Sequence, residues 1–414
     1  MENRRIIGLF FTIIAYNYSV FAYTDPETNV VYQGGYVKSS PYAKGDITIL
    51  SEYKEGNSTY KVRYIDSEAF LSCREISSVV IPEGIQRVGG RAFKGCFGLK
   101  KIKIPTTLNY FGVDAFQATG LEEVQITNLA SWCSIKFELS SGLDYLFSNP
   151  LNNGACLILN GNKIVDLKLP DDIESISNGA FNGCGGIRSV AFSENFSNLG
   201  SSVFRGCKEL SSITFNKNIT TIGSESFKNC VNIETVNIPD NVTSIYSSAF
   251  NGCIKLSTVY IGKNVNEISQ SAFASCTNLK NVYCYRESSI TNAYQNAFKN
   301  SNVEVATLHV PQELIDIYSS TIPWSDFGKI KSLNETTGLS ELYTIPFLIK
   351  HNNEQIIING ATVGELIQIY DLAGVLLFSS KISGENTAID IPQNTHNIII
   401  IVKVGTHSVK MLMK

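Results

Sequence analysis

Apolar residues recur through the centre of this chain with a period of 23 residues, and a phenylalanine marks each period. The marker phenylalanines are Phe70, Phe93, Phe116, Phe181, Phe204, Phe227, Phe250 and Phe273. The positions five and eight residues before each marker are also apolar, as Ile245 and Val242 are before Phe250. A period of this length predicts a repeat architecture in which each period forms one structural unit.

The order of apolar residues within one period predicts the shape of that unit. Ile233, Val236 and Ile238 follow the spacing L-x-x-V-x-I, whose alternating end is typical of a short β-strand. Pro239 then ends the strand, V-x-x-I returns along the opposite side, and A-F-x-x-C closes the coil as a tight turn. One coil cannot bury its apolar residues alone, so coils stacked about 4.8 Å apart should share a core that contains the marker phenylalanines. The pattern predicts a mainly β solenoid with parallel strands on one face.

The period resembles the BspA-like leucine-rich repeat, whose coil reads L-x-x-V-x-I-P-x-x-V-x-x-I-x-x-x-A-F-x-x-C. Residues 233–253 match this pattern throughout, and the resemblance covers about residues 45 to 330. It implies a leucine-rich-repeat solenoid, which we expect to span residues 61–335. It also implies a secreted or cell-surface protein, because members of the family are typically found there. The family is associated with binding host or matrix proteins.

The period is interrupted between Leu121 and Ile164, which are 43 residues apart where 23 are expected. The insert, near residues 127–163, holds W-C-S-I-K-F at residues 132–137, and similar segments occur as insertions in the family. Asn160-Gly161 between two apolar runs is a strong hairpin signal. Two interpretations stay open, a β-rich bulge on the solenoid and a protrusion that faces a ligand.

A solenoid also needs polar caps at its two ends. We predict an N-terminal β cap at residues 23–60, with turns at Gly34-Gly35 and Gly56-Asn57. Residues near 303–333 resemble the C-terminal cap of the family.

Seven of the ten cysteines lie three residues after a marker phenylalanine, and Cys284 lies in a strand column. These are packing positions, where a free cysteine behaves as a small buried hydrophobe. A ladder of equivalent sites has no preferred pairing, so buried thiols are favoured over disulfides. Cys133 and Cys156 in the insert are the one pair to test for a disulfide. The sequence contains no C-x-x-C, and a zinc site has little support.

A polar linker at residues 336–341 precedes a module at residues 342–414 that has a different periodicity. Short strand-like runs such as residues 366–370 and 397–404, with a turn at residues 371–374, are typical of a small immunoglobulin-like β-sandwich. The module resembles the C-terminal sorting domain of type IX secretion cargo. The resemblance rests on Q-I-Y-D-L-A-G ending at Gly374, on the strand at residues 400–404, and on the terminal K-M-L-M-K from Lys410 to Lys414.

The sorting resemblance implies recognition by a secretion machinery during export. The Gly-x-Tyr that is usual in that family is absent here, because residues 395–397 read T-H-N. An immunoglobulin-like spacer without a sorting role is the alternative interpretation.

The first 22 residues have the pattern of a secretory signal peptide. Arg4 and Arg5 precede an apolar run at residues 6–14, and V-F-A at residues 20–22 fits a cleavage site before Tyr23. The run is too short to span a bilayer, and we expect no transmembrane segment after cleavage. A buried helix or a membrane anchor is the alternative.

Composition and charge narrow the classes of function. Hydrophobic residues make up 43% of the 414 residues and the net charge is −3, so the chain can bury a core and no nucleic-acid partner is expected. The four histidines lie at residue 309 or later, and none belongs to a catalytic motif. We therefore predict neither an enzyme nor a cofactor. Carboxylates paired only by the fold are the remaining enzymatic alternative.

The best candidate for a binding surface is the outward column of the main strands. One outward residue lies between the last two apolar positions of each strand, and most of these residues are polar or tyrosine. The ligand-binding candidates are Lys103, Gln125, Thr214, Asn237, Tyr260 and Tyr283. Tyrosine gives a rigid amphipathic contact, so this column resembles a protein-contact surface. An ordinary solvated face is the alternative interpretation, and the loose link between surface composition and interfaces favours it.

These patterns together predict a non-catalytic, adhesin-like protein that is secreted or held at the bacterial cell surface and binds a protein or glycan ligand. The alternative function is a structural spacer or matrix component without a specific ligand. Self-association without saturable binding of a ligand would support this alternative.

Overall fold

The computed structural model describes residues 22–139, 147–290, 292–333, 348–351, 355–359, 364–371, 376–384, 386–390, 399–404 and 407–412. Residues 1–21 of the predicted signal peptide, the predicted linker, Gly374 and Lys414 lie outside these ranges. The chain divides into two units. The first ends at Thr127 and adds Ile135–Pro150, and the second consists of Asn128–Ser134 and the residues from Leu151 onward.

The first unit consists of short strands joined by turns. They are β1 (Tyr23–Thr24), β2 (Val31–Gln33), β3 (Tyr36–Lys38), β4 (Gly45–Thr48), β5 (Glu52–Glu55), β6 (Ser58–Lys61), β7 (Tyr64–Ile65), β8 (Ile76–Val80), β9 (Arg87–Val88), β10 (Lys101–Lys103), β11 (Tyr110–Phe111), β12 (Glu123–Ile126) and β13 (Lys136–Phe137). Strands β4, β8, β10 and β12 form one parallel sheet. Strands β3, β7, β9, β11 and β13 form a second parallel sheet, with β1 and β2 at its edge.

The second unit repeats this arrangement after a short helix. Its solenoid elements are α1 (Leu129–Ser134), β14 (Cys156–Leu159), β15 (Asn162–Lys163), β16 (Asp166–Lys168), β17 (Ser189–Ala191), β18 (Ser212–Thr214), β19 (Thr221–Ile222), β20 (Thr235–Ile238), β21 (Ser244–Ile245), β22 (Thr258–Ile261), β23 (Glu267–Ile268), β24 (Asn281–Cys284), β25 (Asn292–Ala293), β26 (Thr307–Val310), α2 (Ile315–Ser320) and β27 (Lys329–Ser332). The parallel sheets are β16-β17-β18, β20-β22-β24-β26-β27 and β19-β21-β23-β25. Short 3-10 turns occupy Val303–Val305, Gln312–Leu314 and Trp324–Asp326.

Both apolar segments of a coil form parallel sheets, whereas the sequence predicted parallel strands on one face alone. The V-x-I segment supplies the longer strands, and the end of V-x-x-I supplies two-residue strands such as β21 and β23. Stacking places every segment beside its copy in the next coil, so the backbone groups of both segments find partners there.

The marker phenylalanines form a continuous stack inside each unit. The ring of Phe227 lies between those of Phe204 and Phe250, with centroids 5.6 and 5.3 Å away and planes within 7°. The Phe227 backbone N–H also donates to the carbonyl of Ala249 in the next coil, at 2.8 Å. The prediction that these residues mark the core is confirmed, since none of the eight exposes more than 2% of its surface.

The repeat cysteines are buried free thiols, as predicted. Each of several Sγ atoms donates to the carbonyl of the marker phenylalanine in the preceding coil, as Cys230 does to Phe204 at 3.0 Å. Burial raises the pKa of Cys230 well above its ordinary value. Cys133 and Cys156 are also free. The thiols therefore pack and close turns, and no group of three or more potential metal ligands occurs among the described residues.

The predicted two-residue turns form antiparallel hairpins. Gly34-Gly35 joins β2 to β3, Gly56-Asn57 joins β5 to β6, and Asn160-Gly161 joins β14 to β15. Asn160 and Gly161 have φ values of 49° and 82°, and two positive values are what a type I′ hairpin turn requires.

The insert is partly helical, which the expectation of a β-rich segment missed. The side-chain oxygen of Asn128 accepts the N–H of Ser131 at 2.7 Å, so Asn128 caps the start of α1. Trp132 is buried, and its indole N–H donates to the carbonyl of Ala180 at 3.1 Å. Buried apolar residues of the insert include Cys133, Ile135, Phe137, Leu151 and Leu157. These side chains pack in the core and do not form a protrusion, while residues 140–146 lie outside the description.

The described strands of the C-terminal module pair antiparallel. They are β28 (Leu348–His351), β29 (Gln355–Asn359), β30 (Leu366–Asp371), β31 (Leu376–Lys381), β32 (Asn386–Asp390), β33 (Ile399–Val404) and β34 (His407–Leu412). They form the sheets β28-β29-β32 and β31-β30-β33-β34. The immunoglobulin-like sandwich and the sorting role stay predictions. In the part of the chain covered by the structure, no helix is both long and apolar enough to cross a membrane.

Candidate binding surface

One outward row of the β20–β27 sheet collects the predicted tyrosines. Parallel pairing places Asn237 opposite Tyr260, Tyr260 opposite Tyr283, Tyr283 opposite His309 and His309 opposite Lys331. Successive side chains of a strand point to opposite faces. The preceding residue of each strand, such as Val259 or Val282, is buried, so the row faces outward.

Three rings of this row stack on one another, and we call Tyr260, Tyr283 and His309 the aromatic ladder. The ring centroids of Tyr260 and Tyr283 are 4.9 Å apart with planes 15° from parallel. Those of Tyr283 and His309 are 4.2 Å apart with planes 8° from parallel. Tyr285 lies beside the ladder, 6.5 Å from Tyr260. Both faces of the Tyr283 ring are therefore covered by neighbours, and the polar edge of the ladder is what remains for a partner.

The side chains of Tyr260, Tyr285 and His309 are electrically neutral at neutral pH. Burial, and then the adjacent Tyr283, raise the pKa of Tyr260, while burial and Tyr260 raise the pKa of Tyr285 to about 12. Burial, and then the charge of Lys331, lower the pKa of His309 to about 4. The phenols of Tyr260 and Tyr285 thus keep their protons and the imidazole of His309 is uncharged, so this surface is amphipathic.

His309 is held in place by its surroundings. It exposes 5% of its surface, and its Nε2 lies 3.2 Å from Oδ1 of Asn281. Because the imidazole is neutral and Oδ1 is an acceptor, Nε2 carries the proton and Nδ1 is the acceptor. The buried Nδ1 has no hydrogen-bond partner among the described residues.

The other predicted site residues lie in different sheets. Lys103 and Gln125 are opposite each other in the first unit, and Thr214 is opposite Ala191 in the β16–β18 sheet. Beside Lys103 the surface is ionic, because Lys101 pairs with Glu123 at 3.3 Å. The structure thus brings Asn237, Tyr260 and Tyr283 into one row of paired strands. Thr214 lies in β18 of the preceding coil, which contacts β20 but belongs to another sheet. Lys103 and Gln125 belong to the other unit.

Sequence reasoning missed the end of the row. His309 follows Tyr283 after 26 residues, so it left the 23-residue register and was assigned to the cap. The signal that could have identified it is local. T-L-H-V at residues 307–310 repeats the alternation of N-V-Y-C at residues 281–284, with His309 in the outward position of Tyr283.

Comparison with solved structures finds similar chains at low identity. The pneumococcal vaccine antigen PcpA is 16% identical, over 76% of this chain and 98% of that one, with a TM-score of 0.43. A leucine-rich repeat protein from Bacteroides ovatus is 18% identical, over 76% and 98% of the two chains, with a TM-score of 0.38. A leucine rich cell surface protein from Faecalibacterium prausnitzii is 16% identical, over 76% and 95%, with a TM-score of 0.38.

The repeat itself matches a known family model. The model of the BspA type leucine rich repeat region matches residues 51–149, 158–280 and 197–327. No curated protein matches the chain. Because the family matches extend over more than half of the sequence, this chain belongs to the BspA type leucine-rich repeat family.

Proposed function

We propose that this chain is a non-catalytic, adhesin-like binding protein whose aromatic ladder contacts a partner protein outside the cell. The stacking of Tyr260, Tyr283 and His309 in one outward row is the observation that carries this proposal. A coil does not need aromatic rings there, since the same column holds Lys103 and Thr214 in other coils. The rings therefore supply something beyond the fold.

The chemistry of the ladder favours a protein over a glycan as its partner. Sugars commonly stack on an open aromatic face, but the faces of Tyr283 are covered by Tyr260 and His309. The polar edge of the ladder suits the mixed apolar and hydrogen-bonding contacts of a protein interface, where tyrosine is enriched.

The double variant Tyr260→Ala/Tyr283→Ala should bind its partner with an affinity at least about tenfold lower. Truncation of tyrosines that become buried in an interface removes most of their contact area. The partner is first captured from serum and extracellular matrix with the full chain, and its affinity is then measured with the purified proteins. Tyr246→Ala is the matched control, since Tyr246 is 38% exposed but lies outside the row. Equal affinity of the double variant and the wild type would exclude the ladder as the contact surface.

We further propose that the C-terminal module directs export, on the strength of its resemblance to type IX sorting domains around Gly374 and from Lys410 to Lys414. Deletion of residues 341–414 should abolish accumulation of the protein outside the cell, as measured by immunoblots of culture fractions. A fusion of residues 1–22 to residues 336–414 should still be exported. Undiminished export of the truncated chain would refute the sorting role.

A further inference from the structure

The second sheet of the first unit carries an outward row that the proposed function does not use. The row consists of Tyr36, Tyr64, Arg87, Tyr110 and Lys136, each directly opposite the next. Their neighbours in the strands are buried, as Val88 and Phe111 are, so the row faces outward. We call it the cation–aromatic row.

Cations and rings contact one another along this row. The guanidinium carbon of Arg87 lies 4.3 Å from the centre of the Tyr110 ring, and Nζ of Lys38 lies 4.6 Å from that of Tyr36. The Tyr36 and Tyr64 rings are 5.1 Å apart. Cation–π contacts of this kind hold long basic side chains in one place, which lowers the entropy lost on binding a ligand.

The coil architecture does not require these residues. In the second unit the same column of the β19–β25 sheet holds Thr221, Ser244, Glu267 and Asn292. Those four residues include neither an aromatic ring nor a cation, although they occupy the same place in the same kind of coil. The cation–aromatic row is therefore a local property of the first unit, beyond what stacking of the coils demands.

The two exposed cations of the row lie on either side of a polar site. Asp66 is neutralised by Lys38, whose Nζ is 2.8 Å from its carboxylate. The carboxylate of Glu138 accepts hydrogen bonds from the hydroxyl of Tyr110 and from the backbone N–H of Val113. Arg87 and Lys136 are both exposed, one strand on either side of Tyr110. The order along the sheet is thus cation, tyrosine with carboxylate, cation.

We propose that the cation–aromatic row binds a linear acidic polysaccharide in which charged and neutral sugars alternate. Arg87 and Lys136 are separated by two strand spacings, about 10 Å. One sugar of an extended chain is close to one strand spacing in length, so Arg87 and Lys136 would each face a sugar carboxylate. The neutral sugar between them would meet Tyr110 and Glu138, whose polar oxygens suit sugar hydroxyls. Glu138 would repel a chain that carried a negative charge on every unit, such as an acidic peptide.

The test uses the full chain and an oligosaccharide of hyaluronan, which alternates glucuronate with an uncharged amino sugar. Titration calorimetry at low ionic strength should give saturable binding that weakens as salt is added. Arg87→Gln and Lys136→Gln should each reduce the affinity about tenfold, the effect of losing one charge-assisted contact. Lys44→Gln is the matched control, because Lys44 is an exposed lysine of the same unit that directly precedes β4 of the other sheet. It should bind as the wild type does.

Several results would overturn the proposal. Absence of saturable binding would exclude the polysaccharide as a ligand. An equal loss of affinity with Lys44→Gln would mean that the effect is diffuse charge attraction. Polyglutamate carries a negative charge on every unit, so equally tight binding of it would contradict the preference for alternating charged and neutral units. A chitin oligosaccharide is uncharged, so equally tight binding of it would contradict the role of charge. The Tyr260→Ala/Tyr283→Ala variant should bind hyaluronan normally, so this proposal and the proposed function can fail separately.

Discussion

The variant Phe227→Ala should lower the free energy of unfolding of the second unit by about 3–5 kcal/mol, the usual effect of removing a fully buried ring. Phe227 is completely buried, and its ring touches Phe204 on one side and Phe250 on the other. The neighbouring rings are fixed by their own coils, whose backbones are hydrogen-bonded through Ala249 and its equivalents. The gap left by alanine therefore cannot close, and the stack is interrupted at its centre.

Urea unfolding followed by tryptophan fluorescence measures this effect directly. Trp132 and Trp324 are the two tryptophans of the chain, and both are buried in the second unit, so their emission reports on that unit. Ile254→Ala is the control, because Ile254 belongs to the next coil but is 47% exposed. It should change the free energy of unfolding by no more than about 0.5 kcal/mol. Equal losses in the two variants would mean that the phenylalanine stack does not hold the coils together.

The repeat made most of the core predictable from the sequence. A residue whose environment recurs every 23 positions is constrained in every coil, so Phe227 could be assigned to the core before any coordinate was known. The same argument assigned the repeat cysteines to packing. The hairpin at Asn160-Gly161 was predictable for a local reason, since both residues tolerate a positive φ.

The surface rows were harder to predict because they cross breaks in the period. The steps from Tyr36 to Tyr64 and from Tyr110 to Lys136 are 28 and 26 residues, since one end of that row comes from the cap and the other from the insert. The sequence did not predict His309 in the row of Tyr283 for the same reason. Stacking aligns residues by their place in the coil and not by their distance in sequence, so a search at fixed spacing loses a row wherever a coil changes length.

The variant Gly89→Ala should lower the free energy of unfolding of the first unit by about 1–3 kcal/mol, the effect of overpacking a tight contact. A Cβ atom at Gly89 would meet the backbone nitrogen of Ser67 and lie 2.7 Å from the carbonyl carbon of Asp66. Both atoms belong to the preceding coil, and backbone atoms cannot rotate away as the end of a side chain can. The two coils would have to separate locally, which lengthens the hydrogen bond from the N–H of Gly89 to the carbonyl of Ile65, now 2.8 Å.

The adjacent glycine gives a matched control for this prediction. A Cβ at Gly90 would lie 3.3 Å from Cγ1 and from the carbonyl oxygen of Val113, so small adjustments accommodate it. Alanine also loses less backbone entropy on folding than glycine, and Gly90→Ala should therefore stay within about 0.5 kcal/mol of the wild type. Thermal unfolding by circular dichroism measures both variants, and hydrogen exchange of residues 62–93 locates the change. Equal stability of the two variants would show that the close approach of the coils at Gly89 does not limit stability. Tyr246 occupies the equivalent position of another coil, so this result would mean that coils generally tolerate a side chain at that position.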